Sequence, residues 1–210
     1  MFFYLKFIQL VQILYFYRMT RLEIVKKHLK PGRVYHRADL KKWSASVDRH
    51  LQELVREGVL EKLSGGLYYV PKQTTFGKVP AEEHELVRSF LKDDRFVIMS
   101  PSDYNALQVG TSQLYNESRV YNYKRHGVFK LGNRTFRFIR RPYVPGKVTK
   151  ELLLVDLVNN AKQLAEDQPN LMKNVEQRIA GMDSRILKQL ANDFGTVGTR
   201  KLFTSLLDQK

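Results

Sequence analysis

The sequence predicts an α+β fold, and three observations carry that prediction. Residues 44–58 repeat apolar side chains at helical spacing and run directly into an alternating β-hairpin. Residues 119–139 alternate apolar and basic side chains around a Gly-Asn turn. From residue 149 onward the apolar period returns to that of an α-helix and stays there. The expected organisation is an apolar leader (1–18), a three-helix-plus-hairpin domain (19–72), a basic α+β region (73–150) and a helical bundle (151–210).

The leader, Met1–Arg18, is apolar apart from Lys6, Gln9, Gln12 and Arg18. A spanning helix needs about 20 predominantly apolar residues, and a secretory signal needs a basic start and a small-residue cleavage site, so it fits neither pattern well. Three readings stay open: an over-extended start with Met19 as the true first residue, an added packing helix, or a membrane anchor.

Leu22, Ile24, Val25 and Leu29 predict a short amphipathic helix over 21–29, closed by Pro31-Gly32. A second short helix is expected at about 37–42. Ser44 offers an N-cap to a third, in which Val47, Leu51, Leu54 and Val55 form one face and Gly58 the stop. Val59–Leu63 then alternates, Ser64-Gly65-Gly66 turns, and Leu67–Val70 returns as its partner. Three helices followed by a tight hairpin is the order of a winged helix-turn-helix. Residues 80–92 read as a helix, 95–99 as a buried strand, 101–107 as a short helix, and 119–123 as a strand. Val128–Leu131 and Thr135–Ile139 flank Gly132-Asn133-Arg134 as a hairpin.

Charge points to the same partner class as the helix order. The chain carries 36 Lys+Arg against 21 Asp+Glu, a net charge of +15. Basic and acidic residues number 2 and 0 over 1–18, 12 and 6 over 19–72, 14 and 7 over 73–150, and 8 and 8 over 151–210. The excess is therefore confined to the first two-thirds, which implies a polyanion meeting residues 19–150, and the helix order makes double-stranded DNA the expected one. No cysteine is present, which removes disulfides, thiolate metal sites and cysteine nucleophiles and fits a reducing cytoplasm.

A recognition helix buries one face on its own domain and offers the other to the major groove. Ser46, Arg49, His50 and Glu53 are expected to face outward. Ser44 and Ser46 would let the helix start approach phosphate, and Arg49 is the favoured base-edge contact through a bidentate pair with guanine. Arg37, Lys41 and Lys42 are expected on backbone phosphate, with Lys62 and Ser64 reaching it from the hairpin. A second basic surface is expected from Arg119, Lys124, Arg125, Lys130, Arg134, Arg137, Arg140 and Arg141. These alternate with Tyr121, Tyr123, Phe129, Phe136, Phe138 and Tyr143, so that rings face the core and charges face out. That surface would extend the DNA footprint or dock an acidic protein or RNA.

Catalysis finds little footing. His28, His36, His50, His84 and His126 have no metal-ligand spacing, and the glycines match no phosphate-binding loop. No catalytic residue, metal or cofactor is expected. The competing reading is a metal-dependent nuclease in which Asp93, Asp94, Asp103 and Glu117 gather, with the N-terminal domain serving only as its address; a plain winged-helix regulator is the other.

GLYYVP closing the hairpin, TTFGKVP after it, SPSDYNALQVGTSQLYNESRVYNYKR, the basic hairpin ending FIRRP, and LLLVDLVNNAKQL together resemble the AbiEi-type antitoxins of type IV toxin–antitoxin systems, over about residues 19–165. The resemblance implies that residues 21–70 bind operator repeats and repress the chain's own operon. It also implies that residues 75–210 counter a nucleotidyltransferase toxin without a stable complex. The helix expected after the first strand of the second region is reduced here to Ser102–Leu107, and the leader is foreign to the family pattern. On this reading the protein is cytoplasmic, a monomer or weak dimer, and not membrane-bound.

Overall fold

A computed structural model of the chain describes residues 21–111 and 117–208. The apolar leader at 1–18 lies outside the described residues. The fold is α+β, in two compact units. One comprises residues up to Lys92 together with Lys130–Arg134; the other comprises Asp93–Phe129 and Thr135 onward.

In the first unit residues 21–28 are helical (α1). Strand β1 (Val34–His36) leads without a break into α2 (Arg37–Leu40), and α3 (Val47–Arg56) follows. Strands β2 (Glu61–Ser64) and β3 (Leu67–Tyr69) form the expected hairpin, and β3 lies between β1 and β2. β1 is absent from the sequence expectation because three residues are too few to display alternation. It forms because it can pair antiparallel with β3, Val34 opposite Tyr69 and His36 opposite Leu67. Gly66 takes φ +74 in the hairpin turn, a conformation that glycine adopts without steric cost.

The apolar stripe of α3 is buried with Val25, Leu40, Leu60 and Val70. Tyr35 closes the segment before β1: its hydroxyl accepts from the Lys30 N–H and donates to the His28 carbonyl. A second hairpin, β4 (Lys72–Thr74) with β5 (Gly77–Val79), is also unforeseen, since all of its residues are exposed and no apolar alternation marks it. Helix α4 (Glu83–Leu91) belongs to this unit: the His36 ring bonds the Ser89 carbonyl at 2.8 Å through Nε2. The turn at 130–134 is held here by the Gly132 N–H donating to the Leu63 carbonyl (2.8 Å) and by Arg134 paired with Glu83.

The second unit contains β6 (Phe96–Met99), a 3-10 helix (Pro101–Leu107), β7 (Ser118–Asn122) and the hairpin β8 (Gly127–Leu131) with β9 (Arg134–Arg140), except for residues 130–134 about its turn, which belong to the first unit. Sheet order is β6-β7-β9-β8, with β7 parallel to β9. As expected from the alternation, Phe136 and Phe138 are fully buried while Arg137 is exposed. Helices α5 (Lys150–Asn160), α6 (Gln168–Ile179), α7 (Ser184–Phe194) and α8 (Val197–Asp208) complete the unit. Among the described residues no helix is long and apolar enough to cross a membrane.

Helix α5 packs against the 3-10 helix, α7 and α8, so six consecutive residues, Leu152–Leu157, are buried. A helix covered on all sides should be apolar all round, yet Asp156 is 0% exposed. Its two oxygens are satisfied by the hydroxyls of Tyr104 (2.6 Å) and Tyr121 (2.5 Å), with Asn160 Nδ2 at 3.1 Å. Arg119 Nη1 donates to the Tyr104 hydroxyl at 3.3 Å and brings a positive charge near. Burial dominates and raises the Asp156 pKa, against the opposing pull of the two tyrosine hydrogen bonds and Arg119.

Two outcomes follow for Asp156. Replacement by leucine leaves the hydroxyl protons of Tyr104 and Tyr121 without their acceptor in the core, and chemical denaturation should show a loss of about 1–3 kcal/mol for each of the two groups. The folded carboxyl keeps its proton to higher pH than the unfolded one. Its contribution is therefore fully present below the unfolded pKa and is lost as pH rises through the folded pKa. Asp156→Asn should flatten that part of the stability profile, and superimposable urea midpoints for the two proteins across the acid-to-neutral range would contradict it.

Candidate nucleic-acid interface

The candidate site lies in the first unit, where α2, α3 and the β2–β3 turn are tied together by one residue. The Arg37 N–H donates to the Gly66 carbonyl at 2.8 Å, joining the start of α2 to the hairpin turn. Its guanidinium donates to both oxygens of Asp48, in the first turn of α3, each at 2.6 Å. The Arg37 hydrogen bonds hold the Asp48 carboxyl below its usual range. Arg37 was expected on phosphate; its side chain is instead committed to a bidentate pair, the strongest arrangement available to a guanidinium.

The start of α3 also departs from expectation. Ser46, not Ser44, occupies the N-cap, and its hydroxyl makes no capping bond. Ser44 is 4% exposed, accepts from the Ser46 N–H at 3.1 Å and pairs with His50 Nδ1 at 2.8 Å. His50, read as outward, is 5% exposed. Helix geometry explains the correction: position 50 lies three residues after Val47 and falls on the same face as the buried stripe. Ser44 and His50 therefore build the helix start from inside and do not present themselves to a ligand.

What remains on the surface is a compact set. Lys41 and Lys42 follow α2, Ala45 and Ser46 precede α3, and Arg49 is on the solvent side of its first turns; all are exposed. Lys62 is exposed on β2 and Ser64 half-exposed beside the turn. The side chains of Lys41, Lys42, Arg49 and Lys62 have no ion-pair partner among the described residues. Lys41, Lys42 and Arg49 flank an uncapped helix start, with Lys62 on the hairpin that follows α3, and exposed cations of this kind suit a phosphodiester backbone.

The second basic set does not form one such surface. Lys130 and Arg134 fall in the first unit and the other six in the second. Arg119 is 4% exposed, and it shares Glu117 with Arg137. Desolvation pushes the Glu117 carboxyl up, but hydrogen bonds from these two arginines bring it below its ordinary value. Lys124 pairs with Asp93 at 3.3 Å, and Arg95 grips the same carboxylate, holding it well below the usual range. Arg125 lies over the Phe129 ring and Arg141 over that of Phe194. Arg140 and Lys130 are the members left exposed without such an assignment. The sequence counts these charges but does not show which of them the fold sets against a carboxylate or a ring, as it does Lys124 against Asp93 and Arg137 against Glu117.

Three of the four carboxylates named for a nuclease, Asp93, Asp103 and Glu117, have separate occupations. Asp93 serves Arg95 and Lys124, Asp103 accepts the Ser100 N–H at the start of the 3-10 helix, and Glu117 serves two arginines. Among the described residues no group of three or more His, Asp or Glu is placed to hold a metal ion. Sequence reading missed Asp156 and its two tyrosines; the visible signal was a lone acid inside LLLVDLV.

Neither a scan against protein-family models nor a search of curated proteins returned a match for this chain.

Arg37→Ala removes the side-chain tie between α2 and α3 while leaving the core untouched. Amide hydrogen exchange at residues 46–50 should accelerate while the thermal midpoint moves little, because exposed ion pairs contribute little to global stability. Unchanged exchange in that segment would show that the pair does not hold the helix start.

Proposed function

We propose that the first unit is a winged helix-turn-helix that binds double-stranded DNA, and that the chain is an autorepressor of its own operon. The observation that carries this reading is the exposed set Lys41 and Lys42 after α2, Ser46 and Arg49 at the start of α3, and Lys62 on the hairpin, on the elements that Arg37 joins. Helix α3 takes the recognition role: its buried stripe is spent on the core, and Arg49 is the guanidinium nearest its start that has no acidic partner. Lys41 and Lys42 neutralise backbone phosphate, and Lys62 with Ser64 supplies the wing contact.

We further propose that the chain acts as the antitoxin of a type IV toxin–antitoxin pair and counters a nucleotidyltransferase toxin from the cytoplasm. This half rests on the ordered motifs from GLYYVP to LLLVDLVNNAKQL.

A gel-shift series with the chain's own promoter tests the repressor half. Arg49→Ala should lower the preference for the operator over random duplex by roughly five- to 150-fold, the equivalent of about 1–3 kcal/mol. Lys41→Ala combined with Lys42→Ala should weaken all duplexes alike and reduce the salt slope by about 0.9 for each lost phosphate contact. A preference unaltered by Arg49→Ala would remove α3 from the recognition role. For the antitoxin half, co-expression with a nucleotidyltransferase encoded beside this gene should restore growth, and persistent arrest at confirmed expression of both proteins would eliminate it.

A further inference from the structure

The first unit contains a cleft of about 740 Å³ that the DNA reading does not use. It is bounded by the end of α3, by β2, by residues 78–81 and by the turn at 130–133. Its floor is apolar: Leu63, Ala81 and Leu86 line it and are each at most 9% exposed. Its charged lining is three lysines, Lys62, Lys78 and Lys130, against one carboxylate, Glu61. Lys78 is pinned by the Gly58 carbonyl at 3.1 Å and by Glu61 at 3.9 Å. Lys62 and Lys130 are exposed and have no ion-pair partner among the described residues. The turn that closes the cleft is fastened by the Gly132–Leu63 hydrogen bond and the Arg134–Glu83 ion pair, so the concavity is a built feature of the unit.

We propose that this cleft binds a small organic anion, a flat apolar body bearing a sulfonate, carboxylate or phosphate, and that its occupancy weakens duplex binding through Lys62. The volume falls within the roughly 300–1,000 Å³ of ordinary small-molecule sites, and an apolar floor with a few charged groups at the rim is their usual chemistry. A duplex backbone matches the lysines but leaves the floor unused, whereas an aromatic anion satisfies both. The coupling follows from position. Lys62 is a wing cation and a rim cation at once, and a bound anion neutralises the charge that a phosphate would otherwise meet. The coupling rests on the duplex-binding reading; the cleft itself does not.

The probe is 8-anilinonaphthalene-1-sulfonate, an aromatic sulfonate whose fluorescence rises in apolar surroundings, titrated into the full chain. Saturable binding of one equivalent is expected. Val79→Trp, which occludes the mouth from an exposed lining position, and Lys62→Glu with Lys130→Glu, which reverses the rim, should each weaken it by about tenfold or more. Ile186→Trp, in the separate concavity beside Tyr143 and Leu190 in the second unit, should leave it intact. Near-ultraviolet circular dichroism confirms that each variant is folded, and a misfolded one is replaced by Val79→Phe or Lys130→Gln. Binding untouched by the mouth and rim variants overturns the site, as does binding lost only in the lysine variants, which denotes surface electrostatics, or lost in Ile186→Trp. In the second arm saturating probe should weaken duplex binding by the wild type and not by Val79→Trp. Equal duplex affinity with and without probe overturns the coupling. A wild type that binds probe but no duplex instead refutes the winged-helix reading and leaves the cleft standing.

Discussion

Arg37 joins three elements of the first unit through two kinds of bond. Its main-chain N–H holds the hairpin turn at Gly66, and its side chain holds the first turn of α3 at Asp48. Neither link would form without β1, whose pairing with β3 delivers residue 37 to the hairpin turn as α2 begins. The exposed lysines after α2, Arg49 on α3 and Lys62 on β2 inherit their relative positions from this junction. An exposed ion pair contributes little to overall stability, so its consequence is orientation.

The second unit is organised around a buried carboxyl group. Asp156 lies on the most enclosed helix of the unit and is reached by tyrosines from the 3-10 helix and from β7. Those hydroxyls bind sheet and helices at one point, with Arg119 extending the network to Glu117 and Gln163. Unpaired, each of these polar groups would oppose folding; satisfied together, they select one packing arrangement over others of similar apolar content. Arg119 of β7 and Arg137 of β9 thereby serve a carboxylate of their own unit. A net charge of +15 overstates what a polyanion can meet.

Much of the fold was legible in the sequence because it depended on periodicity. The stripe of α3, the β2–β3 turn at Gly65-Gly66, the alternation of Phe136, Arg137 and Phe138, and the four C-terminal helices each signal themselves within a dozen residues. The illegible elements were short or solvated. β1 is three residues long, and the β4–β5 hairpin has no buried face. The candidate site was legible in part: Lys41, Lys42, Ser46, Arg49, Lys62 and Ser64 lie at or near the surface, as local pattern implied.

The sequence by itself determined the α+β class, the order of the longer elements and the concentration of positive charge in the first two-thirds, since these follow from side-chain period and composition. Tertiary structure alone decided which cations are free. Arg37 faces Asp48, Arg119 and Arg137 share Glu117, and Lys124 meets Asp93 across 31 positions of chain. Tertiary structure also turned His50 and Ser44 inward and brought Tyr104 and Tyr121 onto Asp156. The reason is common to all of these. A charge or hydroxyl has the same identity anywhere in the chain, but its availability depends on which residue, near or far in sequence, the fold sets within about 3 Å of it.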